Sequence, residues 1–177
     1  RNAYPVGAAV GLAMAKGSPQ HRDFANRLAT KLVALADVQA SLVEANDVAL
    51  DELVGMTVNA FGTSEQAIAV SAMPSIRLDE QRAKALVLVL GELATNSLKY
   101  GALSGRGTVA VNASIADGAM VLEWREEHFG REEPSTFRGG SGGAGQQLMA
   151  RMLATVGGTI SSGAWDEGYC TTVTIAL

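Results

Sequence analysis

One segment constrains the fold of this chain more than any other: DEQRAKALVLVLGELATNSLKYG, residues 79–101. Asp79 is a good N-cap for a helix that runs into the loop GALS. Leu86, Leu90, Leu93 and Leu98 point in directions that other elements must cover. Glu92 and Asn96 are four residues apart, and Lys99 is three further on. At about 3.6 residues per turn all three share one face. A helix buried in a core does not need a carboxylate, a carboxamide and an amine on one side. The chemistry of that stripe suits a hard cation bound to phosphate oxygens. The amide oxygen of Asn96 can ligate Mg²⁺, the Glu92 carboxylate can orient a water or accept a proton, and Lys99 adds positive charge. An ordinary solvated helix face with an i,i+4 polar pair has the same spacing, so the stripe alone does not decide between the two.

Around this helix the chain divides into two parts. Residues 2–16 read as a helix, with Val6, Val10, Ala13 and Met14 on one face. KGSPQ is a turn, and a second helix is expected from about Arg22 to Glu44, with Phe24, Leu28, Leu32, Leu35, Val38 and Leu42 as its apolar stripe. So narrow a hairpin cannot bury both stripes alone, and pairing with a second copy into a four-helix bundle is expected. A second unit starts near Asp47, which is expected to cap the helix ALDELVGMTVNAF, with Leu50, Leu53, Val54 and Phe61 on its apolar face. AIAVSAM alternates like a strand. TVAVNAS and MVLEWREE, joined through Asp117-Gly118, form a β-hairpin. QQLMARMLATV is a helix ended by Gly157-Gly158. GTISSG and YCTTVTIAL form a last hairpin around Ala164–Gly168. The fold class is α+β: a helical hairpin over residues 1–46, then a mixed unit over 47–177 whose helices cover one face of a sheet.

Two further features bear on the stripe. Residues 128–145 are polar and glycine-rich, and RGGSGGAGQQL places five glycines directly before a helix. Backbone N–H groups there can approach an anion closely, and a helix N-terminus favours negative charge. The segment lacks the Gly-Lys-Ser/Thr end of a Walker loop, and no strand leads into it as a dinucleotide fingerprint requires. A flexible loop with a helix cap has the same composition. In MVLEWREE, strand alternation puts Leu122, Trp124 and Glu126 on one face. Trp124 reads as core. Glu126 ends the core-facing row, either at a pocket rim, where it would accept hydrogen bonds from an adenine amino group, or at solvent.

Composition narrows the function classes. The 177 residues carry 18 Asp+Glu against 14 Lys+Arg, a net charge of −4 that argues against nucleic acid as the main partner. No stretch has the unbroken apolar length of a membrane span, and the apolar opening RNAYPVGAAVGLAMA lacks a processing signature. Cys170 is the single cysteine and His21 and His128 are the two histidines, which leaves no disulfide and disfavours a zinc site. A cytoplasmic location is expected.

These residues carry a resemblance. ELATNSLKYGALS resembles the N box of sensor histidine kinases of the HWE type, and EWREE resembles that family's W-x-E element. GGSGGAGQQLMARM resembles its G box, VGGTISSG and GYCTTVTIAL its closing hairpin, and NRLATKLVALADVQASL its second bundle helix. The resemblance implies a Bergerat-type α/β sandwich that binds ATP and Mg²⁺, joined to a dimerising hairpin. It implies Glu92 as the carboxylate that orients or deprotonates, Asn96 as the Mg²⁺ ligand and Lys99 as a phosphate contact. It also implies Glu126 as the acceptor for the adenine amino group, with Gly142, Gly143 and Gly145 framing the phosphates.

The chain departs from that pattern in three places. Gly91 stands where the family has the histidine before the N-box glutamate. Glu127, His128, Phe129 and Gly130 follow the W-x-E element in place of x-Gly-Gly-Pro, so His128 stands where glycine would let adenine approach. The phosphoacceptor histidine is expected immediately before Arg1, judged from Pro5, and the chain is then a fragment. His21 fits a turn or cap, and His128 a surface position, better than an acceptor. The leading expectation is a histidine kinase core, a homodimer that passes the ATP γ-phosphate to a histidine and then to a response regulator aspartate, with no direct membrane contact. The alternative is a histidine phosphotransferase with a degenerate kinase-like domain. A third reading is a nucleotide-binding module that regulates a partner by docking.

Overall fold

The computed structural model describes residues 47–61, 68–104, 107–128, 144–165 and 168–177. The helical hairpin expected over 1–46, His21 and the glycines Gly142 and Gly143 lie outside these residues. In chain order the elements are β1 (Asp47–Ala49), α1 (Leu50–Asn59), β2 (Ile68–Val70), β3 (Arg77–Asp79) and α2 (Glu80–Tyr100). A short 3₁₀ turn (Ala102–Ser104) leads to β4 (Gly107–Ala116), β5 (Ala119–His128), α3 (Ala144–Ala154), β6 (Gly158–Trp165) and β7 (Gly168–Ala176). Five strands form one sheet in the order β2-β4-β5-β7-β6. β2 runs parallel to β4, and the other neighbours are antiparallel. A parallel pair needs a long crossover, which β3 and α2 supply.

Period-two burial sets which face of the sheet is covered. Val109, Val111 and Ala113 of β4 are buried, as are Met120, Leu122 and Trp124 of β5 and Val173 and Ile175 of β7. They share one cluster with Leu53, Val54 and Phe61, with Leu86, Leu90 and Leu93 of α2, and with Met149 and Leu153 of α3. Each large side chain taken fully out of water there contributes about 1.5–3 kcal/mol. The helices thus cover one face, while the alternate residues Ser114, Arg125 and Glu127 face solvent. The β4–β5 hairpin forms where the sequence places Asp-Gly: Asp117 and Gly118 both have positive φ, 51° and 74°, as a two-residue hairpin turn of that twist requires. Among the described residues no helix is long and apolar enough to cross a membrane.

The two expected caps have different outcomes. Asp79 caps α2 by accepting from the Arg82 backbone N–H at 2.8 Å. That bond, together with the Arg82 side chain, holds its carboxyl below the usual carboxylate value. Arg82 also donates from Nε to the Ala176 carbonyl at 2.9 Å, which ties the start of α2 to the end of β7. Asp47 does not cap α1. Ala49 occupies the cap position with no side-chain bond. Asp47 instead begins β1, which pairs with β3, and its carboxylate meets Arg77 Nη2 at 2.6 Å. The strand pairing over Asp47–Ala49 delays the helix start to Leu50, three residues after Asp47, and the Asp47 carboxylate is engaged by Arg77 instead of by the helix N–H groups.

Candidate functional site

The 21-residue α2 is buried along most of its length, including Gly91, Ala94 and Ser97. Its polar stripe survives as a separate face: Glu92 and Asn96 are half-buried and Lys99 is exposed. Across from the stripe stands the start of α3. A Cβ built on Gly145 would lie 3.0 Å from Glu92 Oε2. The fold therefore brings the α2 carboxylate against the helix that the glycine-rich segment opens. Gly145 belongs to the first turn of α3, where backbone N–H groups have no partner within the helix. The result is one place with a carboxylate, a neighbouring carboxamide and anion-favouring backbone.

The donor set also bears on a metal. Among the described residues no group of three or more His, Cys, Asp or Glu could hold an ion by itself. Glu92 and Asn96 offer oxygen donors only. That suits a hard cation that takes one or two protein ligands and completes its shell with water and phosphate oxygens, as Mg²⁺ does.

Glu126 is placed differently from the rim position expected of it. It is 3% exposed, and its carboxylate accepts three hydrogen bonds from within the fold. Trp124 Nε1 donates to Oε1 at 2.9 Å, while Ser97 Oγ at 2.9 Å and the Ala102 backbone N–H at 2.8 Å donate to Oε2. The Leu103 N–H donates in turn to Ser97 Oγ at 3.1 Å. An ionised carboxylate offers about four acceptor sites, so most of this one is engaged. Burying a charge without such donors would be very costly. Alternation along β5 explains the Trp124 bond: residues two apart share a face, and the indole N–H meets the carboxylate beside it. Trp124 itself is core, 1% exposed.

Two residues of this arrangement were not singled out from sequence. Ser97 is fully buried and bridges α2, the turn after it and β5. Gly101 ends α2 where a Cβ would lie 2.0 Å from Glu126 Oε2. Neither carries a periodicity signal of its own, because their partner lies 29 and 25 residues ahead. Of the other expected site residues, Gly145 is beside Glu92, and Lys99 is exposed on the same α2 face. His128 ends β5.

This five-stranded mixed sheet with its helices on one face is similar in fold to solved histidine kinase structures. The histidine kinase domain of the blue-light-activated histidine kinase of Erythrobacter litoralis matches with a TM-score of 0.63 at 16% identity, over 97% of this chain and 83% of that one. The histidine kinase AdeS of Acinetobacter baumannii matches with a TM-score of 0.55 at 15% identity, over 97% and 92%. At these identities the likeness speaks for the fold alone. No family model matches the chain. Its sequence is 31% identical over 146 residues to blue-light-activated histidine kinase 1 of Erythrobacter litoralis, covering 78% of this chain and 39% of that protein. The chain is homologous to that histidine kinase over this stretch and spans about two fifths of its length.

Proposed function

We propose that this chain is the ATP-dependent kinase core of a two-component sensor of the HWE type. It binds ATP and Mg²⁺ between the polar face of α2 and the start of α3. The observation that carries this reading is the approach of Gly145 to Glu92, which joins the two sequence features that chemistry alone had linked. Asn96 and Glu92 would hold Mg²⁺ with the phosphates, Lys99 would meet a phosphate oxygen, and Gly145, with Gly142 and Gly143, would frame the phosphate chain. Mg²⁺ bound there neutralises phosphate charge. The acceptor capacity left on the Glu126 carboxylate would receive the adenine amino group.

In the reaction a histidine nitrogen bonds the γ-phosphorus as its bond to the ADP oxygen breaks, and an aspartate of a response regulator then takes the phosphoryl group. The protein contributes positioning and charge stabilisation. Residues 1–46 pair two copies as a helical bundle, and the domain works in the cytoplasm, where ATP is available. Homology to a histidine kinase supports the reaction class.

Calorimetric titration with a non-hydrolysable ATP analogue, with and without Mg²⁺, tests the reading. Micromolar binding that requires Mg²⁺ is expected. A folded protein that binds nothing at millimolar analogue would reject the kinase and leave the phosphotransferase.

A further inference from the structure

The clasp around Glu126 reaches the metal side of the site through the chain itself. Ser97 follows Asn96 directly on α2, and its side chain is fully buried while Asn96 is half-buried. The Ser97 hydroxyl is committed on both sides: it donates to Glu126 Oε2 at 2.9 Å and accepts from the Leu103 N–H at 3.1 Å. The same Glu126 oxygen accepts from the Ala102 N–H at 2.8 Å. One hydroxyl therefore fixes the last turns of α2 against both β5 and the turn after Gly101. No buried polar side-chain atom among the described residues lacks a partner.

We propose that Ser97 is a positioning residue for nucleotide binding. By anchoring the end of α2 to Glu126, it sets where its neighbour Asn96 presents its amide. It also couples the base-side carboxylate to the metal-side amide across one hydrogen bond. A helix end held only by apolar contacts can rotate or fray within its last turn. A buried hydroxyl with two directional bonds removes that freedom. Ser97 touches neither nucleotide nor metal in this role, and it acts through Asn96. The inference rests on the ATP·Mg²⁺ reading given above.

The test is the gain in affinity for the ATP analogue that Mg²⁺ confers, measured by calorimetry on the wild type, Ser97→Ala, Asn96→Ala and the double variant. Ser97→Ala should reduce that gain by about fivefold, the worth of roughly one hydrogen bond of about 1 kcal/mol. In the Asn96→Ala background the serine should no longer matter to the gain, because residues acting as one unit are not additive. Ser97→Cys keeps the side-chain shape with a slightly larger atom and a weak donor, and should fall between wild type and alanine if the alanine variant is poorly folded. A folded Ser97→Ala or Ser97→Cys protein with lowered melting temperature and an unchanged Mg²⁺ gain would overturn the proposal, as would independent, multiplying losses in the double variant. Failure of the ATP reading is a separate result: the wild type itself would show no Mg²⁺-dependent binding, and the inference would fall with it.

Discussion

At Gly101 a methyl group has no room: a Cβ built there lies 2.0 Å from Glu126 Oε2, 2.9 Å from Ser97 Cα and 3.0 Å from Glu126 Cδ. The backbone, at φ −108°, is open to any residue, so alanine adds no conformational strain there. The contact alone sets the cost. Ser97 Cα belongs to a helix and cannot yield, so the Glu126 carboxylate must move. Moving it breaks the bonds from Ser97 Oγ and the Ala102 N–H, both in a buried setting. Each buried group left without a partner costs about 1–3 kcal/mol, so Gly101→Ala should lose about 2–6 kcal/mol. Domains of this size have about 5–15 kcal/mol in all, so the loss is large. Urea denaturation of the variant and wild type, compared at equal slope, reads it directly. A variant within about 1 kcal/mol of wild type would refute the clasp, because the carboxylate would then have found equivalent partners elsewhere.

Gly55 supplies the opposite case: it lies in the interior of α1 with nothing among the described residues within 4 Å of a built Cβ, so Gly55→Ala should stabilise by about 0.5–1 kcal/mol in the same assay. Asp79→Ala removes the α2 cap and should cost about 1 kcal/mol at neutral pH. Because the folded carboxyl titrates below its unfolded value, that contribution is present above about pH 4 and is lost as pH falls through the folded value, so the gap between the two denaturation profiles should narrow in acid. Asn96→Ala should abolish Mg²⁺-dependent binding of the ATP analogue with little change in melting temperature, and a retained Mg²⁺ gain in calorimetry would remove Asn96 from the site. Leu28→Asp should place a charge in the core of the proposed bundle and give a monomer by light scattering; an unchanged mass would reject the bundle.

Local chemistry made much of the α+β unit legible in advance. α2 with its Asp79 cap, the Asp-Gly hairpin, the closing hairpin and the alternation that buries Trp124 all follow from spacing within a few residues. So does the shared face of Glu92, Asn96 and Lys99, which needs only helical geometry. Asp47 shows where local reading stops: a good cap residue was drawn into a strand by Arg77, 30 residues away.

The sequence by itself determined which groups could meet a metal and a phosphate, because helical and strand periods are properties of the backbone. Only the tertiary structure decided that α3 begins beside Glu92. Only it showed that Glu126 lies inside, held by Ser97, Trp124 and the turn after Gly101. Those placements depend on how β5 packs against the end of α2. A buried carboxylate takes whichever donors that packing brings within about 3 Å, and no spacing along the chain records them.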